Sequence, residues 1–233
     1  MNKKKEELAK VIYFLLSGLF ITSLVVSNLI FQKFFYWYPT DLNILGNKLF
    51  ELSVGILPYP ITFLITDLIS EIYGKKRANQ VVIIGIFASF FSMGILLMAN
   101  AVPAIENSPI DDDTFNQVFA FSPIAVLASM IAYLIAQFVD IRIYHFWKKL
   151  TNGQMLWLRN NFSTFSSQFI DTFLVVGLLS IFGVLQWKLF WGLVLSGFLF
   201  KIIVAVLDTP LLYFFVWIFR KTFALKATDE LEI

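Results

Sequence analysis

Five ionisable residues lie inside long apolar stretches of this 233-residue sequence. Asp67 and Glu71 are four residues apart and share one helical face, and Asp171 stands in a later stretch. Lys201 and Asp208 lie in the last stretch, seven residues apart. A charge at the centre of a bilayer costs roughly 2.5 to 3.5 kcal/mol on insertion scales, so these positions indicate function by default. Carboxylates can accept paired hydrogen bonds from the N–H groups of a ligand or carry a proton.

Ion pairing within the protein is the structural alternative for these charges. Lys201 and Asp208 can each pair with a neighbouring helix, since buried ion pairs often only satisfy each other. Glu71 can be an interfacial residue close to the helix stop at Gly74. The structural alternative is weakest for Asp67 and Asp171, which are therefore the first candidates for ligand binding.

Three amides and one further carboxylate extend the set. Asn28 lies in the first apolar stretch and Gln168 in the fifth, and both suit either ligand recognition or helix packing. Asn161 opens the fifth stretch, where it can instead cap a helix. Asp140 is close to a basic loop, so we predict that it pairs with Arg142 or a neighbour and has a structural, peripheral role.

The composition excludes several classes of protein. Hydrophobic residues make up 58% of the chain and charged residues 15%, against about 45–50% and 25% in soluble domains. The chain has no cysteine and one histidine, which excludes disulfides, thiol catalysis and a histidine metal cluster. It carries no Walker loop, H-E-x-x-H or G-x-S-x-G motif. We therefore expect no enzyme activity, no metal, no cofactor, no ATP hydrolysis by the chain itself and no nucleic-acid partner.

Six apolar segments are long enough to cross a membrane. Their backbone N–H and C=O groups find no water in lipid and must bond within each segment, so we expect these segments to be helices. The fold class predicted is all-α: a polytopic membrane protein with a six-helix transmembrane bundle, forming one domain over 1–233. Pro58 and Pro60 interrupt the second span and Pro210 the sixth, a pattern that points to a substrate site in transporters. The segments are 11–31, 52–73, 81–98, 124–139, 162–185 and 189–219.

The loops alternate in charge along the chain. Fourteen of the 18 Lys and Arg residues lie at the N-terminus, in the 75–77 loop, in the 142–159 loop and in the C-terminal tail. The opposite loops hold Lys33, Lys48 and Lys188. By the positive-inside rule, both termini face the cytoplasm, and an even number of spans agrees with that. We expect a multi-pass protein of the cytoplasmic (inner) membrane.

Several motifs in these spans carry a resemblance to a known family. Residues 59–67 (YPITFLITD) with 71–75 (EIYGK), then 159–172 (RNNFSTFSSQFIDT) and 200–210, resemble the signature of the queuosine precursor transporter family. Asn28, after Ser27, fits the pattern of the first span. The resemblance implies import of 7-cyano-7-deazaguanine, or a related 7-deazaguanine, for the queuosine modification of tRNA.

The substrate site predicted from these residues is one cavity in the cytoplasmic half of the bundle. Asp67 or Asp171 would accept the donors of the guanine-like edge, an aromatic ring would stack on the base, and Lys201 would neutralise a carboxylate such as Asp208. Asn28 would close the cavity from the other side. The full predicted set is Asn28, Asp67, Glu71, Asn161, Gln168, Asp171, Lys201 and Asp208.

Three functions remain open on the sequence. The first is a secondary transporter that works without ATP, with a small-molecule deazapurine and membrane lipid as partners and a homodimer as an open alternative. The second is the substrate-binding subunit of an energy-coupling-factor vitamin importer, which needs an ATPase partner. The third is a structural or enzymatic membrane protein that does not transport.

Overall fold

The computed structural model describes residues 3–36, 43–44, 47–48, 51–119, 123–183 and 185–231. Within them lie seven α-helices, and a 3-10 turn precedes two of these, at Val54–Ile56 and Trp187–Leu189. Six of the helices are long and apolar enough to cross a membrane, counting the second together with its 3-10 turn. The predicted all-α, multi-pass membrane fold is confirmed. The helices are α1 (Lys3–Ile30), α2 (Tyr59–Ile72), α3 (Gly74–Asn100), α4 (Asp112–Phe119), α5 (Pro123–Leu150), α6 (Leu156–Ile181) and α7 (Phe190–Phe223).

Helix α2 lies at the centre of the bundle and is the most buried of the spans. It packs against α1, α3, α5 and α7, while α5 and α6 form the most extensive helix pair and α7 packs along α6. With 14 residues, α2 is about 21 Å long, shorter than a hydrocarbon core of about 30 Å. Its charged residues Asp67 and Glu71 are 2% and 1% exposed, so protein rather than lipid surrounds them.

The prolines start α2 rather than break it. Pro58 is the residue that precedes the helix and Pro60 lies in its first turn, where a missing backbone N–H leaves no hydrogen bond unmade. The interruption of the second span is thus the change from the 3-10 turn Val54–Ile56 to α2. Helix α7 continues through Pro210 without a break, so the predicted interruption of the sixth span is not seen.

The connections carry elements that the sequence did not predict. Between α1 and α2, strand β1 (Phe34–Tyr36) pairs antiparallel with β4 (Glu51–Ser53), and β2 (Asn43–Ile44) pairs with β3 (Asn47–Lys48). The short helix α4 lies in the acidic connection between α3 and α5 and contacts α3. Both connections lie at the end of the bundle away from the chain termini.

The beginning and the end of the chain meet at one end of the bundle. The Lys5 Nζ donates to the carbonyl of Thr222 at 2.8 Å, which joins the first turn of α1 to the last turn of α7. The C-terminal tail then turns back, and the Leu231 N–H donates to the carbonyl of Ile72 at 2.7 Å. This end also holds the basic junction between α2 and α3, and we call it the basic end.

Candidate functional site

A cavity of about 450 Å³ lies between α1, α3, α5, α6 and α7. We call it the central cavity. Its walls come from the last turns of α1, the second half of α6 and the first half of α7. These segments lie away from the basic end. The sequence predicted a cavity in the cytoplasmic half, which stays a prediction. The polar residues that matter below are Asn28, Tyr59, Tyr133, Asp171 and Lys201.

An ion pair forms the inner end of the central cavity. The Lys201 Nζ lies 2.5 Å from the Asp171 Oδ2, and the two side chains are 10% and 3% exposed. The Asp171 Oδ1 is buried and, among the described residues, receives no hydrogen bond. Asp171 thus lines the cavity with one carboxylate oxygen paired to Lys201, while the other receives no hydrogen bond from the described residues.

The predicted pairing of Lys201 with Asp208 is wrong. Seven residues on one helix correspond to a rise of about 10 Å, too far for a direct ion pair. Helix α6 runs beside α7 and brings Asp171 to the lysine instead. The lysine also lies 4.7 Å from the centre of the Tyr59 ring, a cation–π contact.

Two tyrosines give the central cavity an aromatic wall. The rings of Tyr59 and Tyr133 meet edge to face with centroids 5.3 Å apart. The Tyr59 phenol also lies beside Asp171. An aromatic face next to an unpaired carboxylate oxygen suits a flat heterocycle that carries N–H donors.

Asn28 lies on the α1 wall of the same cavity, as its predicted role requires. The position of this wall depends on a close approach between α1 and the 3-10 turn. The Ser27 Oγ donates to the carbonyl of Gly55, and a Cβ at Gly55 would come within 2.6 Å of the Ser27 carbonyl oxygen. Only glycine allows this contact without a shift of the backbone.

A second, much smaller pocket of about 20 Å³ lies between α2, α6 and α7. It shares Tyr59 and Lys201 with the central cavity. Four of the predicted site residues line it: Asp67, Gln168, Lys201 and Asp208. Asn160, which is not among the predicted site residues, lines it as well.

Glu71 is held elsewhere, in a cluster of charges at the basic end. Its Oε1 lies 2.6 Å from the Arg159 Nη2 and also accepts from Arg220. Its Oε2 accepts from the Tyr144 hydroxyl at 3.0 Å and lies 3.6 Å from the Lys148 Nζ. We call these five residues the ion cluster. It joins α2, α5, α6 and α7, and Glu71 is 1% exposed at its centre.

The C-terminal tail covers the ion cluster. The Lys148 Nζ lies 3.0 Å from the Glu230 Oε1, and Arg220 donates to the carbonyl of Ala227 at 3.2 Å. Glu230 lies so close to Gly74 that a Cβ there would meet its carboxylate at 2.1 Å, and Gly74 has a φ of +82°. The basic end of the bundle is therefore closed in this structure.

Asn161 joins two helices and is not among the described residues that line either cavity. Its side-chain amide donates to the carbonyl of Trp157 at 2.8 Å and accepts from the Thr209 hydroxyl at 3.2 Å. It does not cap α6, because that helix already begins at Leu156.

Asp140 is buried in the bundle, which corrects the prediction of a peripheral role. It is fully buried, accepts from the Ser167 hydroxyl at 2.9 Å, and faces away from the exposed Arg142. One sequence signal pointed to it: the run QFVD at 137–140 recurs as QFID at 168–171. In the structure both aspartates and both glutamines are buried, so the two runs place the same residue types on inner faces of α5 and α6.

Known proteins resemble this chain over most of its length. Residues 53–215 match the family described as "Putative vitamin uptake transporter". A protein of Bacillus subtilis (strain 168), named "Probable queuosine precursor transporter", is 28% identical over 166 residues, which cover 69% of this chain and 70% of that protein. No solved structure matches the chain. The family match includes α2, α6 and most of α7, which carry Asp67, Asp171 and Lys201.

Proposed function

The chain belongs to the vitamin uptake transporter family, and we propose that it is a secondary transporter that imports a queuosine precursor, 7-cyano-7-deazaguanine or a related 7-deazaguanine. The protein is a membrane transporter and not an enzyme. The observation that carries the choice of substrate is the central cavity, where Asp171 has a carboxylate oxygen that no described residue binds and lies beside an aromatic wall. The name of the Bacillus subtilis relative supports the same class of substrate.

The chemistry of the central cavity supports recognition of a guanine-like edge. That edge presents a ring N–H and an amino group, and a carboxylate accepts both. Asp171 is the better candidate for this role than Asp67, because Asp171 lines the larger cavity. Tyr59 or Tyr133 would stack on the base, and Asn28 would contact it from α1. A volume of about 450 Å³ is within the range of small-molecule sites.

We propose that residues 1–233 act as one transport domain. The family match begins at residue 53, yet α1 supplies the Asn28 wall of the central cavity. The C-terminal tail, beyond the other limit of the match, covers the ion cluster through Glu230. These contacts support one domain that includes the segments on both sides of the family match.

For the membrane orientation, we propose that the basic end faces the cytoplasm, with the protein in the inner membrane. Exposed positions 76, 112 and 149 can each be changed to cysteine on this cysteine-free background. We expect an impermeant thiol reagent to label position 112 in intact cells and to leave 76 and 149 unlabelled until the cells are opened. Labelling at 76 or 149 in intact cells, with none at 112, would reverse the orientation.

Transport by the protein alone is the test of the proposed function. We expect liposomes that contain only this protein to exchange labelled 7-cyano-7-deazaguanine for unlabelled base, because the family match supports a transporter and the sequence has no nucleotide-binding loop. Protein-free liposomes are the control. Flux that requires an added ATPase module would identify a subunit of an energy-coupling-factor importer instead.

A further inference from the structure

Two buried carboxyl groups meet between α2 and α5. Asp67 is 2% exposed and Asp140 is fully buried, and their carboxyl groups contact each other. One oxygen of each is bound by a hydroxyl of α6: the Asp67 Oδ2 accepts from Thr164 at 3.4 Å, and the Asp140 Oδ1 from Ser167 at 2.9 Å. Their other oxygens, the Asp67 Oδ1 and Asp140 Oδ2, are buried and receive no hydrogen bond from the described part of the chain.

No cation of the described residues balances this pair. In the part of the chain that the structure describes, neither carboxylate has a Lys, Arg or His nitrogen within 4.0 Å. The nearby cations are paired with Glu71 and Asp171 instead. Two ionised carboxylates in contact inside a protein repel each other, and a buried charge without a partner is expensive. One shared proton removes one charge and supplies a hydrogen bond between the two carboxyl groups.

The other groups packed around the two carboxyl groups are of two kinds. Some are neutral hydroxyls and amides, and the rest are charged residues of the ion cluster or the small pocket. Helix α2 contributes Glu71, one turn from Asp67, and α5 contributes Tyr133 and Tyr144. Helix α6 contributes three hydroxyl groups, and α7 places Lys201 and Asp208 in the small pocket that Asp67 lines. The titratable and polar neighbours are Glu71, Tyr133, Gln137, Tyr144, Asn160, Ser163, Thr164, Ser167, Lys201 and Asp208.

We propose that Asp67 and Asp140 together bind one proton, and that its binding and release couple import of the base to the proton gradient. This inference rests on the proposed transport function. The proton adds to the Asp67 carboxylate, or to that of Asp140, and forms the hydrogen bond between them. Its loss leaves two adjacent carboxylates that repel each other, which drives α2 and α5 apart.

The location of the pair suits such coupling. Asp67 lines the small pocket, which shares Lys201 with the central cavity. On its other side, Glu71 follows one helical turn later, about 6 Å along α2, and forms the centre of the ion cluster. A movement of α2 away from α5 would therefore act on the cavity and on the closed basic end at once.

The wild-type protein is tested first, in liposomes with the membrane potential clamped at zero. At equal pH on both sides, exchange of labelled for unlabelled 7-cyano-7-deazaguanine reports transport alone. With the outside one pH unit more acidic, we expect accumulation to approach about tenfold, the limit for one proton per substrate. A pH-sensitive dye inside the liposomes should report acidification as the base enters.

Asp140→Asn is the informative variant, because asparagine keeps the shape of the side chain but cannot share a titrating proton with Asp67. Asp140 is not among the described residues that line either cavity. We expect this variant to keep exchange at equal pH and to lose accumulation, with a final ratio near one and no acidification of the lumen. Asp113→Asn, on the exposed surface of α4, is the matched control and should accumulate the base as the wild type does.

Each other result overturns the proposal in a distinguishable way. Wild-type exchange without a response to pH removes proton coupling and leaves the transport function standing. Accumulation driven by a sodium gradient, with no acidification, replaces the proton by sodium. Loss of exchange in folded Asp140→Asn assigns the pair to substrate binding. If that variant does not fold, accumulation and acidification by the wild type still test the proton coupling. Absence of exchange in the wild type contradicts the proposed function itself.

Discussion

Asp171→Asn should reduce uptake of 7-cyano-7-deazaguanine by about ten- to a hundredfold. The substitution removes the charged acceptor beside the central cavity, and hydrogen bonds to charged groups contribute about 1.5–3 kcal/mol, or roughly one to two powers of ten in affinity. It also leaves Lys201, 10% exposed at its side chain, without its carboxylate. The measurement is the initial rate of uptake by cells that cannot make the precursor, at matched expression.

The same assay needs a carboxylate that is far from the cavity as its control. Asp113→Asn serves, because Asp113 is exposed on α4, and we expect its uptake to equal that of the wild type. The apparent affinity of Asp171→Asn should fall more than its maximal rate, since the lost group contacts the base. Uptake by Asp171→Asn at the wild-type rate and affinity would exclude Asp171 from the substrate site.

Glu71→Gln should lower the free energy of unfolding by about 3–5 kcal/mol, the usual cost of breaking a buried ion pair from one side. Glu71 is the only carboxylate that the described residues offer to the fully buried Arg159 within 4.0 Å. After the substitution Arg159 keeps its charge and has no counter-charge in contact. The loss can be measured by denaturant titration of the purified protein in detergent micelles.

An exposed ion pair provides the comparison for this loss. Glu6 pairs with Lys10 at 3.0 Å, with side chains 46% and 47% exposed, and such pairs contribute at most about 1 kcal/mol. Glu6→Gln should therefore leave unfolding almost unchanged. If Glu71→Gln unfolds at the same denaturant concentration as Glu6→Gln, the ion cluster does not stabilise the closed basic end.

The number of spans and the membrane class were predictable because they depend on local properties. A span requires about 20 apolar residues, and the rule that lipid forces backbone hydrogen bonds inside each segment leaves helices as the outcome. The positions at which a charged side chain lies within an apolar segment were predictable for the same reason. Asp67, Asp171 and Lys201 stood out within apolar runs and all three line a cavity.

Helix boundaries near the basic end were harder to predict. Arg159 and Lys148 were assigned to a polar loop by their charge, yet α5 and α6 extend past the apolar segments and carry both residues inside helices. Arg159 is fully buried because Glu71 supplies its counter-charge from another helix. Hydropathy of a segment contains no information about such a partner.

Sequence alone thus determined that charged groups lie within six membrane-spanning helices, because the cost of a charge in lipid depends on its own segment. Only the tertiary structure decided which groups meet. Lys201 and Asp208 share a helix face, but Asp171 on the adjacent α6 is the partner of the lysine. Glu71 lies in the ion cluster rather than at the cavity, and Asp140 contacts Asp67. Contacts between helices depend on which helices are neighbours and how they are rotated, and spacing within one helix sets neither.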